Sequence, residues 1–96
     1  GGKSSATALG ILIAISWQAA FLCFSIWLIV VFLSRYSSLG SIIAAPFAPV
    51  SLYLVHKPLV YVALTTFVAV YVILIRHRDN IKRLIAGVEP RIGEMK

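Results

Sequence analysis

The sequence predicts an all-α, polytopic integral membrane protein with three to four transmembrane or half-membrane helices and a short amphipathic C-terminal helix. Of its 96 residues, 60% are hydrophobic and only 12% are charged, about half the charged fraction of a typical soluble domain. Long apolar runs fill the chain, and its acids and most of its bases lie in the tail. Because backbone groups in lipid must bond within their own segment, and no run alternates as barrel strands do, the spans are expected to be helices.

The first apolar segment, residues 8–33, is too long for one simple crossing. A helix of this length would extend about 39 Å, against a hydrocarbon core of roughly 30 Å. Ser16, Trp17 and Gln18 lie near its middle. A Gln side chain costs free energy at the depth of the bilayer centre, and Trp prefers the membrane interface. We therefore expect a break near 16–18, with a first piece that dips part-way or meets a thin membrane. Cys23, the single cysteine, is expected to be a small residue that faces lipid or a helix.

Two further spans are expected over residues 39–55 and 58–75, after short polar breaks. Pro46 and Pro49 lie inside the first of them, and each removes a backbone donor. They also disfavour helical geometry at the preceding residue, so this helix should kink or start late. Such a kink can line a cavity, or neighbouring helices can simply accommodate it.

The tail, residues 76–96, differs from the rest of the chain because it is basic and amphipathic. Apolar side chains recur at helical spacing between basic ones, at Ile81, Leu84 and Ile85. We predict a short helix on the membrane face that Gly87 ends in a left-handed cap, with Pro90 preventing its continuation. The net charge is +6, and its concentration after the last span places the C-terminus in the cytoplasm. Nucleic-acid binding is not expected, since basic residues interleaved with aromatics are absent.

Candidate site residues open this tail. A helix would place His77 and Asn80 on one face, and Arg76, Asn80 and Arg83 on an overlapping one. Guanidinium groups suit phosphate because their donor fork matches two oxygens, although such residues are also typical of a positive-inside flank. Glu89 is expected to form a structural ion pair with a nearby base rather than to act as a catalytic acid.

The first residues, GGKSSATALG, form the second polar end. Gly1 and Gly2 allow close backbone approach, Lys3 adds a charge, and hydroxyl residues precede a helix whose free N–H groups attract anions. Residues 1–7 can therefore form a phosphate site. The nucleotide motif GxxxxGK[ST] is incomplete here, and a cloning scar could have the same composition.

The two ends together resemble one bacterial family. GGKxxATALG before a long apolar run, with RHRxNIxRLxxGxEP after the last span, is similar to the carboxy-terminal half of the membrane acyl-phosphate:glycerol-3-phosphate acyltransferases of the PlsY type. The similarity runs from Gly1 to about Ile92. The opening fits the family's KGGKGxAT motif, except that Ser4 stands where the family usually has Gly. If that position requires a positive φ, Ser costs about 1 kcal/mol or more there.

This resemblance implies transfer of a fatty acyl group from acyl phosphate to the 1-hydroxyl of glycerol 3-phosphate, which yields lysophosphatidic acid and phosphate. It implies no metal or cofactor, and a multi-pass location in the bacterial inner membrane with the motifs at the cytoplasmic face. Gly1, Gly2 and Lys3 match a phosphate-binding loop, so residues 1–7 are expected to be its remnant. His77 and Asn80 match polar positions that matter for activity. From its guanidinium chemistry, Arg76 is expected to bind phosphate beside them. Glu89 matches an acidic position with a structural role.

The resemblance also names the partners: acyl phosphate, glycerol 3-phosphate, membrane lipid and an N-terminal half that carries the family's first motif. The chain alone is accordingly expected to be inactive. An alternative of a different class is a non-enzymatic membrane subunit, such as a channel or transporter component, whose basic juxtamembrane helix binds anionic lipid headgroups.

Overall fold

A computed structural model describes the backbone of residues 2–91 and the side chains of residues 6–91. Within this range the chain is helical and contains no strand. The elements are α1 (Gly2–Ile15), α2 (Trp17–Ser34), α3 (Ser37–Ala44), α4 (Phe47–Leu54), α5 (Leu59–Tyr71), a five-residue π-helical turn (Val72–Arg76) and α6 (Arg78–Ala86).

Three helical stretches of the described chain are long and apolar enough to cross a membrane. They are Trp17–Ser34, Ser37–Leu54 and Leu59–Arg76, each of 18 residues. The apolar part of α1, Ala6–Ile15, is shorter. The predicted all-α, polytopic membrane fold is thus confirmed.

The first apolar segment is interrupted at Ser16, within the interval where the sequence predicts a break. Ser16 has extended backbone angles, φ −160° and ψ 112°, and its hydroxyl oxygen accepts the Ala19 N–H at 3.3 Å as the N-cap of α2. The hydroxyl also donates to the Gln18 side chain at 3.1 Å. A serine that caps the second helix, rather than Trp17 or Gln18 alone, therefore separates α1 from α2.

Residues 1–7, expected to be the remnant of a phosphate-binding loop, are helical from Gly2 onward. Helix α1 is already formed at Gly2, and Gly1 lies outside the described residues. Alanines 6 and 8 favour helix, and the hydroxyl residues lie in the first turns, where Ser and Thr are tolerated best. Ser4 is therefore helical and requires no positive φ.

The two prolines of the middle span are accommodated by a turn between α3 and α4. The interruption lies at Ala45-Pro46, and Pro46 occupies the N-cap position of α4. Pro49 lies in the first turn of α4, where a helix has no internal acceptor for the missing N–H. Pro49 is also buried, so the second proline helps to pack the span that the first one interrupts.

The core is small and consists of close helix contacts. It is formed mainly by short side chains of α2 with one leucine from α1 and one from α4: Leu12, Ala19, Ala20, Cys23 and Leu52. Helices α2 and α3 approach so closely at Gly40 that an added Cβ would lie 2.7 Å from Val31 Cγ2. Most other large apolar side chains are exposed, as expected for surfaces that face lipid or other membrane helices.

The tail helix α6 has the predicted end but a different orientation of its apolar stripe. Gly87 adopts the left-handed conformation, with φ 77°, directly after Ala86. Ile81 and Leu84 are half-buried, whereas Ile85 points outward with 83% of its surface exposed. The stripe therefore splits between an inner and an outer face because α6 is held against the helical bundle by polar contacts.

Candidate functional site

The buried carboxylate of Glu89 organises the polar cluster at the end of the chain. Its side chain is only 3% exposed. One oxygen, Oε1, accepts the Arg83 Nε–H at 2.6 Å. The other, Oε2, accepts the Asn80 amide at 2.7 Å and the Ser38 hydroxyl at 2.5 Å. Glu89 thus forms the expected ion pair and also holds three segments together.

The pKa of Glu89 is set by two opposing effects. Burial disfavours the charged form and by itself would raise the pKa. The hydrogen bonds from Ser38, Arg83 and Asn80, with the positive charge of Arg83, outweigh burial and hold the pKa below its ordinary value. Glu89 is therefore an ionised acceptor at neutral pH and is unsuited to donate a proton.

The cluster also ties the tail to the loop between α2 and α3. Ser38 belongs to the first turn of α3 and is 51 residues from Glu89 in sequence. Tyr36, two residues before Ser38, makes a second contact with the tail. The Arg91 guanidinium carbon lies 5.1 Å from the centre of the Tyr36 ring, a cation–π distance. Residues 34–38 and the tail therefore lie at the same end of the helical bundle.

His77 lies between the π-helical turn and α6. It is 3% exposed, and its ring Nδ1 is 3.0 Å from the carbonyl oxygen of Val72. Since a carbonyl only accepts, Nδ1 carries the hydrogen. No side chain in 6–91 bonds to the other ring nitrogen, Nε2. Every fully buried side-chain nitrogen or oxygen of the described residues has a hydrogen-bond partner. Because Nε2 has no such partner, it is not fully buried and can accept a hydrogen bond from outside the described residues.

Asn80 also has a free acceptor. Its amide nitrogen is held by Glu89, which fixes the orientation of the amide. Its oxygen Oδ1 has no partner among the described side chains, and like His77 Nε2 it is not fully buried. Residues three apart at a helix start are neighbours. The tail thus combines two open acceptors with the exposed bases Arg76 and Arg78.

The structure brings together only some of the predicted site residues. Asn80 and Glu89 are in direct contact, and His77 and Arg76 adjoin them along the chain. Gly2 begins α1, but Gly1 and the Lys3 side chain lie outside the described residues, so their distance from the tail is not defined. Within the described residues, no three His, Cys, Asp or Glu side chains are grouped as metal ligands.

Sequence reasoning missed Ser38 and Tyr36. Both lie in the polar break of residues 34–38, so their position between two spans was a usable signal. Their pairing with Glu89 and Arg91 was not visible, because nothing in the local pattern links residues that are about fifty positions apart.

The fold and the cluster define a multi-pass membrane protein with a basic, hydrogen-bonded polar centre at one end of its spans. The chain belongs to the glycerol-3-phosphate acyltransferase family, whose model, described as "Glycerol-3-phosphate acyltransferase", matches residues 1–87. This confirms the resemblance drawn from the two polar ends.

Individual relatives support the same assignment. Glycerol-3-phosphate acyltransferase 2 of Moorella thermoacetica is 52% identical over 94 residues, which cover 98% of this chain and 48% of that protein. Glycerol-3-phosphate acyltransferase of Synechococcus sp. (strain JA-3-3Ab) is 47% identical over 94 residues, 98% of this chain and 46% of that protein. The chain therefore spans about half the length of the curated relatives that it matches.

A solved structure has the same arrangement of helices. It is the crystal structure of PlsY (YgiH), an integral membrane glycerol 3-phosphate acyltransferase, in its glycerol 3-phosphate form. It superimposes with a TM-score of 0.85 at 38% sequence identity, and covers 92% of this chain and 44% of that one.

Proposed function

We propose that this chain contributes the C-terminal part of an acyltransferase that moves a fatty acyl group from acyl phosphate to the 1-hydroxyl of glycerol 3-phosphate. Membership in the family supports this proposal. The observation that carries it is the pair of open acceptors, His77 Nε2 and Asn80 Oδ1, beside exposed arginines at the end of apolar spans. Acceptors suit the hydroxyls of a polyol, arginines suit phosphate, and apolar spans suit an acyl chain.

Phosphate binding is assigned to the two polar ends. Lys3 supplies a charge, and Gly1 and Gly2 allow close approach at the start of α1, whose first N–H groups have no acceptor within the helix. Arg76, at the end of the π-helical turn, supplies a guanidinium. Two phosphorylated substrates require two groups of phosphate-binding donors. The donors at the opening therefore bind the phosphate of one substrate, and those in the tail bind the phosphate of the other.

The acyl transfer needs one new bond and one broken bond. The 1-hydroxyl oxygen of glycerol 3-phosphate attacks the acyl carbonyl carbon, and the bond from that carbon to the phosphate oxygen breaks. Lysophosphatidic acid and inorganic phosphate result. The hydroxyl proton passes either to His77 Nε2 or to a phosphate oxygen, whose second pKa is about 6. Asn80 Oδ1 accepts a second substrate hydroxyl and so orients the attacking one.

The assay that tests this activity uses the full-length protein with both substrates and measures phosphate release. We expect release only when acyl phosphate and glycerol 3-phosphate are both present. No release from the folded protein would contradict the proposed activity and favour a non-enzymatic membrane subunit.

The role of His77 is tested by His77→Gln in the same assay. If Nε2 is an obligatory base, turnover falls by about 10²-fold or more. If His77 only orients substrate, substantial turnover remains and KM for glycerol 3-phosphate rises. The matched control is His56→Gln, which changes the other histidine at the opposite end of the Leu59–Arg76 span and should leave turnover unchanged.

We also propose that both polar ends face the cytoplasm of a bacterial inner membrane. The bases that follow the last span support this for the tail. The interruption at Ser16 supports it for the opening, because α1 and α2 are then two separate helices and α1 can return the chain to the face of the tail. With 14 residues and a length of about 21 Å, α1 would do so where the membrane is locally thin. Cysteines introduced at Lys3 and Pro90 of the full-length protein should then be labelled from the same side. Labelling from opposite sides would contradict the shared face.

A further inference from the structure

The π-helical turn Val72–Arg76 makes an unusual contact with the residue that comes after it. The main-chain N–H of His77 donates to the Val72 carbonyl at 3.0 Å. The ring Nδ1–H of His77 donates to the same oxygen, also at 3.0 Å. One carbonyl thus accepts both the backbone and the side-chain hydrogen of a single histidine.

This double contact depends on the extra residue of a π turn. In an α-helix the Val72 carbonyl would accept the N–H four residues on, at Arg76. In the π turn it accepts five residues on, at His77, so backbone and ring of the same residue converge on it. Short π turns within α-helices are frequent at functional sites.

The contact also determines the tautomer of the ring. A carbonyl oxygen has no hydrogen to donate, so Nδ1 must be the protonated nitrogen whenever His77 is neutral. The ring is 3% exposed, which leaves little room for water to compete for the Val72 oxygen. The lone pair of the neutral ring is therefore on Nε2, the nitrogen that has no partner among the described residues.

We infer that the π turn is a positioning device that holds His77 as the Nδ1–H tautomer and presents Nε2 as a hydrogen-bond acceptor. The Val72 carbonyl is the positioning group, and it acts through His77. The consequence for catalysis rests on the proposed function, because there Nε2 receives or binds the attacking hydroxyl. The tautomer itself does not depend on the identity of the substrate.

Nitrogen-15 NMR of histidine-labelled full-length protein tests the tautomer directly. The His77 resonances are assigned by their loss in His77→Gln, and His56 serves as the internal comparison. We expect a protonated Nδ1 and an unprotonated Nε2 at every pH where the His77 ring is neutral. A neutral ring protonated at Nε2, or an even mixture of tautomers, would overturn the inference.

Deletion of Leu74 tests the role of the turn. Because a π turn holds one residue more than the α-helical turn it replaces, this deletion converts it to α-helix and keeps α6 in phase. We expect the Nδ1–H preference to disappear, and kcat and KM to change in the same direction and to about the same extent as in His77→Gln. The matched control, Leu74→Ala, trims the same 58% exposed side chain but keeps the extra residue, and should retain both the tautomer and the rate.

The two proposals fail in different ways. A protein with Nδ1–H at His77 that releases no phosphate refutes the acyltransferase activity and leaves the positioning inference standing. An active protein whose His77 is protonated at Nε2 refutes the inference and leaves the activity standing. If the Leu74 deletion fails to fold, the NMR measurement on the unaltered protein still decides the tautomer.

Discussion

Helices α4 and α6 end in the same hydrogen-bonded turn, but the two turns are stabilised differently. Both have the two backbone bonds of a Schellman motif and a residue of positive φ. At the end of α4, the Lys57 N–H donates to the Leu52 carbonyl at 3.0 Å and the His56 N–H donates to the Tyr53 carbonyl at 3.1 Å. At the end of α6, the Val88 N–H donates to the Arg83 carbonyl at 2.9 Å and the Gly87 N–H donates to the Leu84 carbonyl at 3.2 Å. The left-handed residue is His56, with φ 62°, in the first and Gly87, with φ 77°, in the second.

The two turns differ in the chain segment that comes directly after them. After His56 the chain passes through Lys57 and Pro58 directly into α5, so the next span keeps the turn in place. After Gly87 the chain folds back, and the Glu89 side chain fastens it to α6 and to α3. The first turn therefore depends on backbone continuity, and the second depends on one carboxylate and one glycine. The tail, which carries the candidate site, is the more easily detached of the two.

Removing the charge of Glu89 should have the largest effect. In Glu89→Gln the single amide oxygen cannot satisfy Ser38, Asn80 and Arg83 together, and Arg83 loses a charge-assisted bond. We expect the tail to be destabilised by about 2 kcal/mol, since bonds to charged groups contribute roughly 1.5–3 kcal/mol each. Hydrogen exchange of the α6 amides in the full-length protein measures this, and amides in the turn at His56 should not change.

Asp79→Asn is the charge-matched control for that experiment. Asp79 lies exposed in the first turn of α6, so its removal costs only a helix-dipole contribution of about 0.3–1 kcal/mol. Equal exchange in the two variants would show that net charge, rather than the buried network, stabilises the tail.

Acid should weaken the same contact by protonating Glu89. Its pKa is lowered in the folded protein, so the stabilisation is complete above the ordinary glutamate pKa of about 4.3 and is lost as pH falls through the lower, folded value. We expect the protection factors of the α6 amides, which correct for the intrinsic pH dependence of exchange, to fall across that interval in the natural protein and to stay constant in Glu89→Gln. A fall of the same size in both would point to another acid.

Much of this fold could be predicted from local patterns, and most of the site could not. Apolar length predicted the three spans, and Gly87 predicted the end of α6, because each depends on residues close in sequence. The break between α1 and α2 was placed at 16–18 because Gln18 is costly at bilayer depth and Trp17 prefers the interface, and the interruption lies at Ser16, which caps α2. Helix at residues 2–7 was not predicted, since glycines and hydroxyl residues usually favour a loop.

The candidate site was predicted only as far as its residues lie close together in sequence. His77 and Asn80 were named from their spacing, and their role in activity stays a prediction. The π turn was not predicted, because it differs from an α-helical turn by a single extra residue. In an apolar run such as Val72–Arg76, composition does not distinguish an α-helix from a π-helix. The link from Glu89 to Ser38 was equally invisible, because it joins helices whose packing is decided by close contacts such as that at Gly40.

Gly87→Ala isolates the backbone contribution to the tail turn. A Cβ at Gly87 would meet no atom within 4 Å, so its only cost is the left-handed conformation, about 1 kcal/mol. We expect α6 exchange to accelerate accordingly, with half the effect of Glu89→Gln. Gly10→Ala, equally free of contacts but inside α1, should stabilise its helix instead. A loss of stability in both would mean that the added methyl group, rather than the φ angle, is responsible.

His56→Gly should have the smallest effect and the opposite sign. An L-residue in the left-handed region costs about 1–2 kcal/mol, and glycine removes that cost but gains entropy in the unfolded chain of roughly 0.5–1 kcal/mol. The expected net gain is therefore about 0.5 kcal/mol, measured by thermal unfolding of the full-length protein. His56→Ala, which removes the exposed ring but keeps the Cβ, should show no gain. If glycine instead destabilised the protein, the ring of His56 would have to stabilise its turn through side-chain contacts, and the α4 turn would depend on a side chain just as the tail turn depends on Glu89.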